Sequence, residues 1–294
     1  MLLTYESLMT ELTALQATYP FLRLSTLGKS LAGRDIPLIT IGEGTKSVLY
    51  VGAHHGMEWI TSILCLRYLA EMACALAEGK QVFGVEAEQI RRSRRIAVVP
   101  MLNPDGVELQ IRGFDAQNPQ MERVFGMSGG DFSRWQANGR GVDLNHNYDA
   151  GFAEYKSREP SLGIFGGGPT RFSGDFPESE PETAALCHWI RQNEPSLLIA
   201  LHTQGGEIYA DYNEHMPRES EQLARRMAAF SGYTVARPEP AACFGGLKDW
   251  FIRVYDRPGF TIECGKGVNP LPSETADAIY QEIRGILLSA PTWI

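Results

Sequence analysis

The sequence predicts an α/β fold: a single-domain sandwich in which a mixed, largely parallel central sheet is flanked by helices. Three observations lead there. Short apolar runs at residues 47–51, 96–100, 197–201 and 260–262 are bounded by turn residues and have the length of buried strands. Longer stretches with helical periodicity alternate with them, as they do when helices cover both faces of a sheet. No repeat, low-complexity tract or composition break divides the 294 residues, so residues 1–294 are read as one domain.

Taken in order, residues 5–18 read as an amphipathic helix, 31–35 as a turn and 36–41 as an alternating strand. The run 47–51 enters Gly52-Ala53-His54-His55-Gly56, and from Glu58 to about Ala77 the pattern is helical. The strand at 96–100 meets Asn103-Pro104-Asp105-Gly106, which reads as a turn. Residues 107–141 show little periodicity, which is long for a structureless loop and implies a functional segment or small elements. A Gly-rich loop at 164–169 precedes a helix at 179–192. The strand 197–201 ends at His202 and the strand 260–262 at Glu263. A last helix covers about 273–288.

Composition narrows the function classes. With 44% hydrophobic residues the chain buries a sizeable core, and a formal net charge of −8 disfavours nucleic acid as a partner. The densest basic stretch, Arg91-Arg92-Ser93-Arg94-Arg95, reads as a solvated helix end. The five cysteines are scattered without a CxxC pair, so reduced, mostly buried thiols are expected. Neither a leader pattern nor an 18-residue apolar span is apparent, so a soluble, cytoplasmic protein with no membrane partner is expected. The residues carry no signal for oligomeric state. Gly166-Gly167-Gly168 lacks the Lys-Ser/Thr of a phosphate loop and reads as shaping a cleft.

The chemistry gathers at strand ends. In α/β sheets ligands bind beyond the carboxyl ends of strands, and His55, Asn103, His202 and Glu263 all lie there. A zinc site needs three or four N, S or O ligands. His55 and Glu58, three residues apart across a strand-to-helix turn, are able to share one ion, although this pair alone is a weak signal. His54 is a register rival, but it would put Met57 at the partner position. The third ligand must come from a distant strand, and His202 ends one. His188, in a helix, and His215, in a polar loop, read as surface or packing residues.

These residues resemble the zinc metallocarboxypeptidases, the carboxypeptidase A-like superfamily, from about Leu27 to Lys266. Gly52-Ala53-His54-His55-Gly56-Met57-Glu58-Trp59 is similar to that family's first metal motif, and Asn103-Pro104-Asp105-Gly106 to its turn. Gly141-Val142-Asp143-Leu144-Asn145-His146-Asn147-Tyr148-Asp149 resembles its substrate-carboxylate motif. Leu201-His202, Asp249-Trp250 and Phe260-Thr261-Ile262-Glu263 complete the order. The resemblance implies one Zn2+ per chain held by His55, Glu58 and His202. It implies Glu263 as general base, Asp143 as the carboxylate that orients His55, and a peptide substrate. An arginine is expected to stabilise the oxyanion; Arg140 is the candidate and Arg112 the runner-up.

Three positions depart from the family's pattern. The usual Asn-Arg pair that grips a terminal carboxylate reads Asn145-His146, a smaller, titratable donor in place of a guanidinium fork. Lys248 stands at the base of the side-chain pocket, which suggests an acidic group on the substrate. The family's pocket tyrosine is missing near Ala241. These departures resemble the bacterial γ-D-glutamyl-L-diamino acid peptidases, which implies a muropeptide substrate with a γ-D-glutamyl-diaminopimelate bond. A carboxypeptidase for acidic C-terminal residues, a zinc deacylase of N-acyl amino acids and a metal-free binding module remain as rival readings.

Overall fold

The structure, a computed structural model, describes residues 2–238 and 244–294. Helix α1 (Tyr5–Thr18) leads into strands β1 (Arg23–Lys29) and β2 (Asp35–Ile41). Strand β3 (Lys46–Val51) feeds a 3-10 turn (Gly56–Glu58) and α2 (Ile60–Ala77). Two short strands, β4 (Gln81–Val82) and β5 (Val85–Glu86), pair with each other ahead of α3 (Ala87–Ser93) and β6 (Arg94–Val99). Then come α4 (Pro104–Arg112), α5 (Met121–Ser128), α6 (Phe152–Arg158) and α7 (Pro181–Asn193). They are followed by β7 (Leu197–His202), β8 (Glu207–Tyr209), α8 (Ser220–Ser231) and β9 (Thr234–Val235). The chain closes with α9 (Leu247–Tyr255), β10 (Gly259–Glu263) and α10 (Ala276–Ser289).

One eight-stranded sheet runs in the order β1-β2-β6-β3-β7-β10-β8-β9. Its centre, β6, β3, β7 and β10, is parallel. The pairs β1–β2, β2–β6 and β8–β10 are antiparallel, so the sheet is mixed as expected. Parallel strands covered on both faces read as continuous apolar runs, and β7 is buried at every position. Successive residues go to opposite cores. Val48, Tyr50, Leu197, Ile199, Phe260 and Ile262 pack with α1, α2, α8 and α10. Leu49, Val51, Leu198 and Ala200 pack with α7 and α9.

The structure corrects several expectations. Residues 103–106 form the start of α4 rather than a free turn. Pro104 takes the first helical position, where its missing N–H costs nothing, and Asn103 Oδ1 accepts from Gly106 N at 2.9 Å. The unassigned stretch 107–141 holds the rest of α4 and all of α5. Arg94 and Arg95 open β6, not a helix end. The segment Gly56–Ala77 is, by length and composition, apolar enough to cross a membrane, which the sequence reading missed. Here Leu64, Tyr68, Leu69 and Met72 are buried in the core between sheet and helices. Cys65, Cys74, Cys187 and Cys264 are free thiols. Cys243 and the tyrosine-less position Ala241 lie outside the described residues.

Candidate metal centre and active site

The four central parallel strands all deliver a polar residue to one end of the sheet: His55 after β3, Asn103 after β6, His202 on β7 and Glu263 on β10. In the β7–β10 register Glu263 lies directly beside His202. The turn after β3 is tight. A Cβ on Gly56 would lie 2.3 Å from Gly106 O and 2.8 Å from Trp135 O, so only glycine lets His55 and Glu58 approach α4. Asn103 Nδ2 braces the same turn by donating to His54 O at 2.9 Å.

His55, Glu58 and His202 each offer one ligand atom, and these atoms lie within 4.8 Å of one another. His55 Nδ1 stands 2.9 Å from Glu58 Oε1, and His202 Nδ1 stands 3.0 Å from Glu58 Oε2. His55 Nε2 lies 3.1 Å from Asp143 Oδ1. A carboxylate only accepts, so Asp143 accepts the Nε2–H, and a cation at Nδ1 would meet the lone pair that this tautomer leaves there. The 2.9 Å contact of Nδ1 with Glu58 Oε1 is closed either by a proton on the ring or by a cation held between the two. The donor set of two imidazole nitrogens and one carboxylate suits zinc with a position left open for water.

Burial disfavours charge on His55, but the Glu58 and Asp143 carboxylates outweigh it and hold its pKa well above the usual histidine range. Burial works against ionised Glu58 as well, yet His55 and His202 bring its pKa down to about 2. Asp143, also buried, is held well below the ordinary carboxylate range by His55. Glu263 is the opposite case: burial first, then the Glu58 charge, push it well above its ordinary value. A cation held by His55, Glu58 and His202 would draw Glu263 back towards its ionised form.

His54 does not converge with these three residues. It is fully buried, its Nε2 lies 3.1 Å from Tyr148 Oη, and its ring stacks on His202 at 5.1 Å. His188 contacts Gln192, and His215 pairs with Asp256 at the surface.

Glu263 opens onto a small cavity of about 50 Å³ shared with Asn145, Tyr209, Gly246, Lys248, Asp249 and Thr261. Lys248 is buried there, but its ammonium is not free: it pairs with Asp249 and donates to the Asp211 carbonyl. The cavity thus holds a paired charge, where the sequence suggested a lone cation. Asn145 Oδ1 accepts from Leu247 N at 3.2 Å. His146 Nδ1 lies 2.8 Å from Phe244 O, so its N–H is directed into the scaffold, not towards a ligand as expected.

The candidate oxyanion arginine and its runner-up both pair with carboxylates. Arg140 Nε lies 3.0 Å from Glu180, and Arg112 bridges Glu108 and Glu6. Sequence reasoning missed the residues that hold the carboxylates. Thr203 N donates to Glu58 Oε2 at 3.2 Å, and Arg171 N donates to Asp143 Oδ2 at 2.8 Å. Both act through the backbone, which leaves no side-chain signal.

Solved structures with this fold include carboxypeptidases and a murein-tripeptide amidase. Carboxypeptidase A of Helicoverpa armigera superposes with a TM-score of 0.73 at 20% identity, covering 98% of this chain and 73% of that one. The murein-tripeptide amidase MpaA of Escherichia coli O157 superposes with a TM-score of 0.58 at 20% identity, covering 92% of each. At sequence level the zinc carboxypeptidase family matches residues 8–282. The chain belongs to that family and is a metallopeptidase. It is 35% identical over 287 residues to gamma-D-glutamyl-L-diamino acid endopeptidase 1 of Lysinibacillus sphaericus, covering 97% of this chain and 71% of the relative. It is 34% identical to the uncharacterized protein YqgT of Bacillus subtilis, covering 92% and 72%.

Proposed function

We propose that the chain binds one zinc ion through His55, Glu58 and His202 and hydrolyses the γ-D-glutamyl-diaminopimelate bond of cell-wall peptides. The carrying observation is the convergence of three ligand atoms within 4.8 Å beside Glu263, in a chain 35% identical to an enzyme named for γ-D-glutamyl-L-diamino acid bonds. Zinc bound there supplies Lewis acidity, which makes water nucleophilic near neutral pH and polarises the scissile carbonyl. Glu263 takes the proton from the attacking water and passes it to the leaving amine. Asp143 keeps His55 in the tautomer that presents Nδ1.

The cavity beside Glu263 supports the diamino-acid reading. A diaminopimelate side chain ends in both an amine and a carboxylate. The buried Lys248–Asp249 pair sets one charge of each sign at the cavity, engaged with each other, whereas a carboxypeptidase selecting plain acidic residues calls for an unpaired cation. The test compares kcat/KM on L-Ala-γ-D-Glu-meso-diaminopimelate with α-linked peptides ending in Phe or Glu. Strong preference for the γ-linked substrate is expected. Rapid release of Phe, with the γ-linked substrate untouched, overturns the reading; preference for terminal Glu moves it to an acidic-residue carboxypeptidase.

A further inference from the structure

Gln136 joins the two groups that set the His55 ring. Its backbone meets the turn that carries His55: Gln136 O accepts from Gly56 N at 2.9 Å and from Asn103 Nδ2 at 3.2 Å. Its side chain meets a different segment, where Thr170 Oγ1 donates to Gln136 Oε1. One residue earlier in that segment, Pro169 O accepts from Gln136 N and Ala137 N, each at 2.9 Å. One residue later, Arg171 N donates to Asp143 Oδ2 at 2.8 Å, and Asp143 Oδ1 lies 3.1 Å from His55 Nε2. A single residue thus touches both the turn that holds His55 and the segment that holds its carboxylate partner.

The segment needs such a clamp. Residues 169–171 belong to no helix or strand, so no ladder of hydrogen bonds fixes them. Arg171 has φ +68°, a conformation that costs a non-glycine residue free energy and persists only where its neighbours impose it. Those neighbours are on both sides: Tyr155 Oη donates to Arg171 O at 2.8 Å, and Gln136 binds the two residues before it. Thr170 Oγ1 also lies 3.3 Å from Asp143 Oδ2, but a hydroxyl has one proton, and the oxygen of Gln136 is the closer acceptor. The Thr170 side chain therefore serves the clamp, while the Arg171 N–H serves the carboxylate.

Resting on the metal reading above, we propose that Gln136 is a positioning residue for the ligand His55. Its bond to Thr170 keeps Asp143 and His55 in mutual register, so that the ring presents Nδ1 to the ion. Gln136 acts through Asp143 and His55, not by touching substrate.

The experiment compares Gln136→Met, Thr170→Val, the double variant and Thr170→Ser in the full chain. Zinc Kd is read by competition with a chromogenic chelator. In metal-free protein, proton NMR reads the exchange rate of the imidazole proton that His55 shares with Asp143. Each single loss of the bond should weaken zinc binding about three- to tenfold and speed that exchange, the scale of one hydrogen bond. The double variant should match the singles and not multiply them, because both changes remove the same bond. Thr170→Ser keeps the hydroxyl and should restore both readouts, and Gln136→Met carries the test should valine at 170 prevent folding. A merely structural pair lowers Tm and leaves zinc affinity and proton exchange as in wild type, which overturns the inference. Single effects that multiply in the double variant overturn it too. Faster exchange in the variants of a chain that takes up no zinc counts against the metal reading and leaves the Gln136 inference supported.

Discussion

At the scale of single residues, the account separates groups that hold the ion from groups that orient them. Asp143→Asn keeps the shape but gives His55 a weaker, ambiguous partner. Zinc affinity should fall about 10–100-fold, read by competition with a chromogenic chelator; unchanged affinity would remove Asp143 from the site. Glu182 supplies a pH signature unrelated to catalysis. Burial first, then the Asp105 and Glu180 charges, raise its pKa from an ordinary 4.5 to about 8. A carboxyl raised in the fold stabilises fully below its unfolded value. That contribution fades as pH climbs from about 4.5 to about 8 and then stays flat. Glu182→Gln should flatten the melting profile across that window and melt higher than wild type above pH 8. A wild-type profile already flat there would contradict the assignment. The ligands His55, Glu58 and His202 and the base Glu263 were legible because each is an isolated polar residue where an apolar run ends. The tautomer of His146 and the hydrogen bond from Lys248 to the Asp211 carbonyl were not legible. Their partners, Phe244 O and Asp211 O, are backbone atoms 98 and 37 residues away.

At the scale of elements, the site depends on how loops are anchored to the strand ends. Arg34, in the turn before β2, reaches Asp105 at 2.8 Å and Asp115 at 2.7 Å, with all three side chains almost wholly buried. It ties that turn to the start of α4, which in turn packs against Gly56. Arg34→Ala leaves two buried carboxylates without their cation, and stability should drop by about 3–5 kcal/mol in chemical denaturation. A loss below about 1 kcal/mol would show the network to be dispensable. Elements with strong periodicity or apolar runs, α1, α2, β3 and β7, were readable within a residue or two. Helix α4 was mistaken for a turn because Asn-Pro-Asp-Gly serves equally as a helix start, and the capping bond that decides between them is a three-dimensional fact.

At the scale of the molecule, the mixed sheet with two cores was predictable from alternation of strands and helices. The strand order was not, since β6 inserts between β2 and β3 and β10 between β7 and β8. Short, mostly polar strands such as β9, exposed at both positions, carry no pattern to read. Because the ligands come from the central strand β7 and from the turn between β3 and α2, zinc should stabilise the whole fold. At free zinc 1,000 times its Kd the gain is about 4 kcal/mol. A chelator should therefore lower Tm and zinc should restore it, while an unmoved Tm would place the ion elsewhere. The most direct test of the central claim is release of diaminopimelate from L-Ala-γ-D-Glu-meso-diaminopimelate by zinc-loaded wild type and by Glu263→Gln carrying the same one equivalent of zinc. Release by the wild type, reduced at least about 100-fold in the variant, is the predicted result. Equal release by both proteins would contradict it.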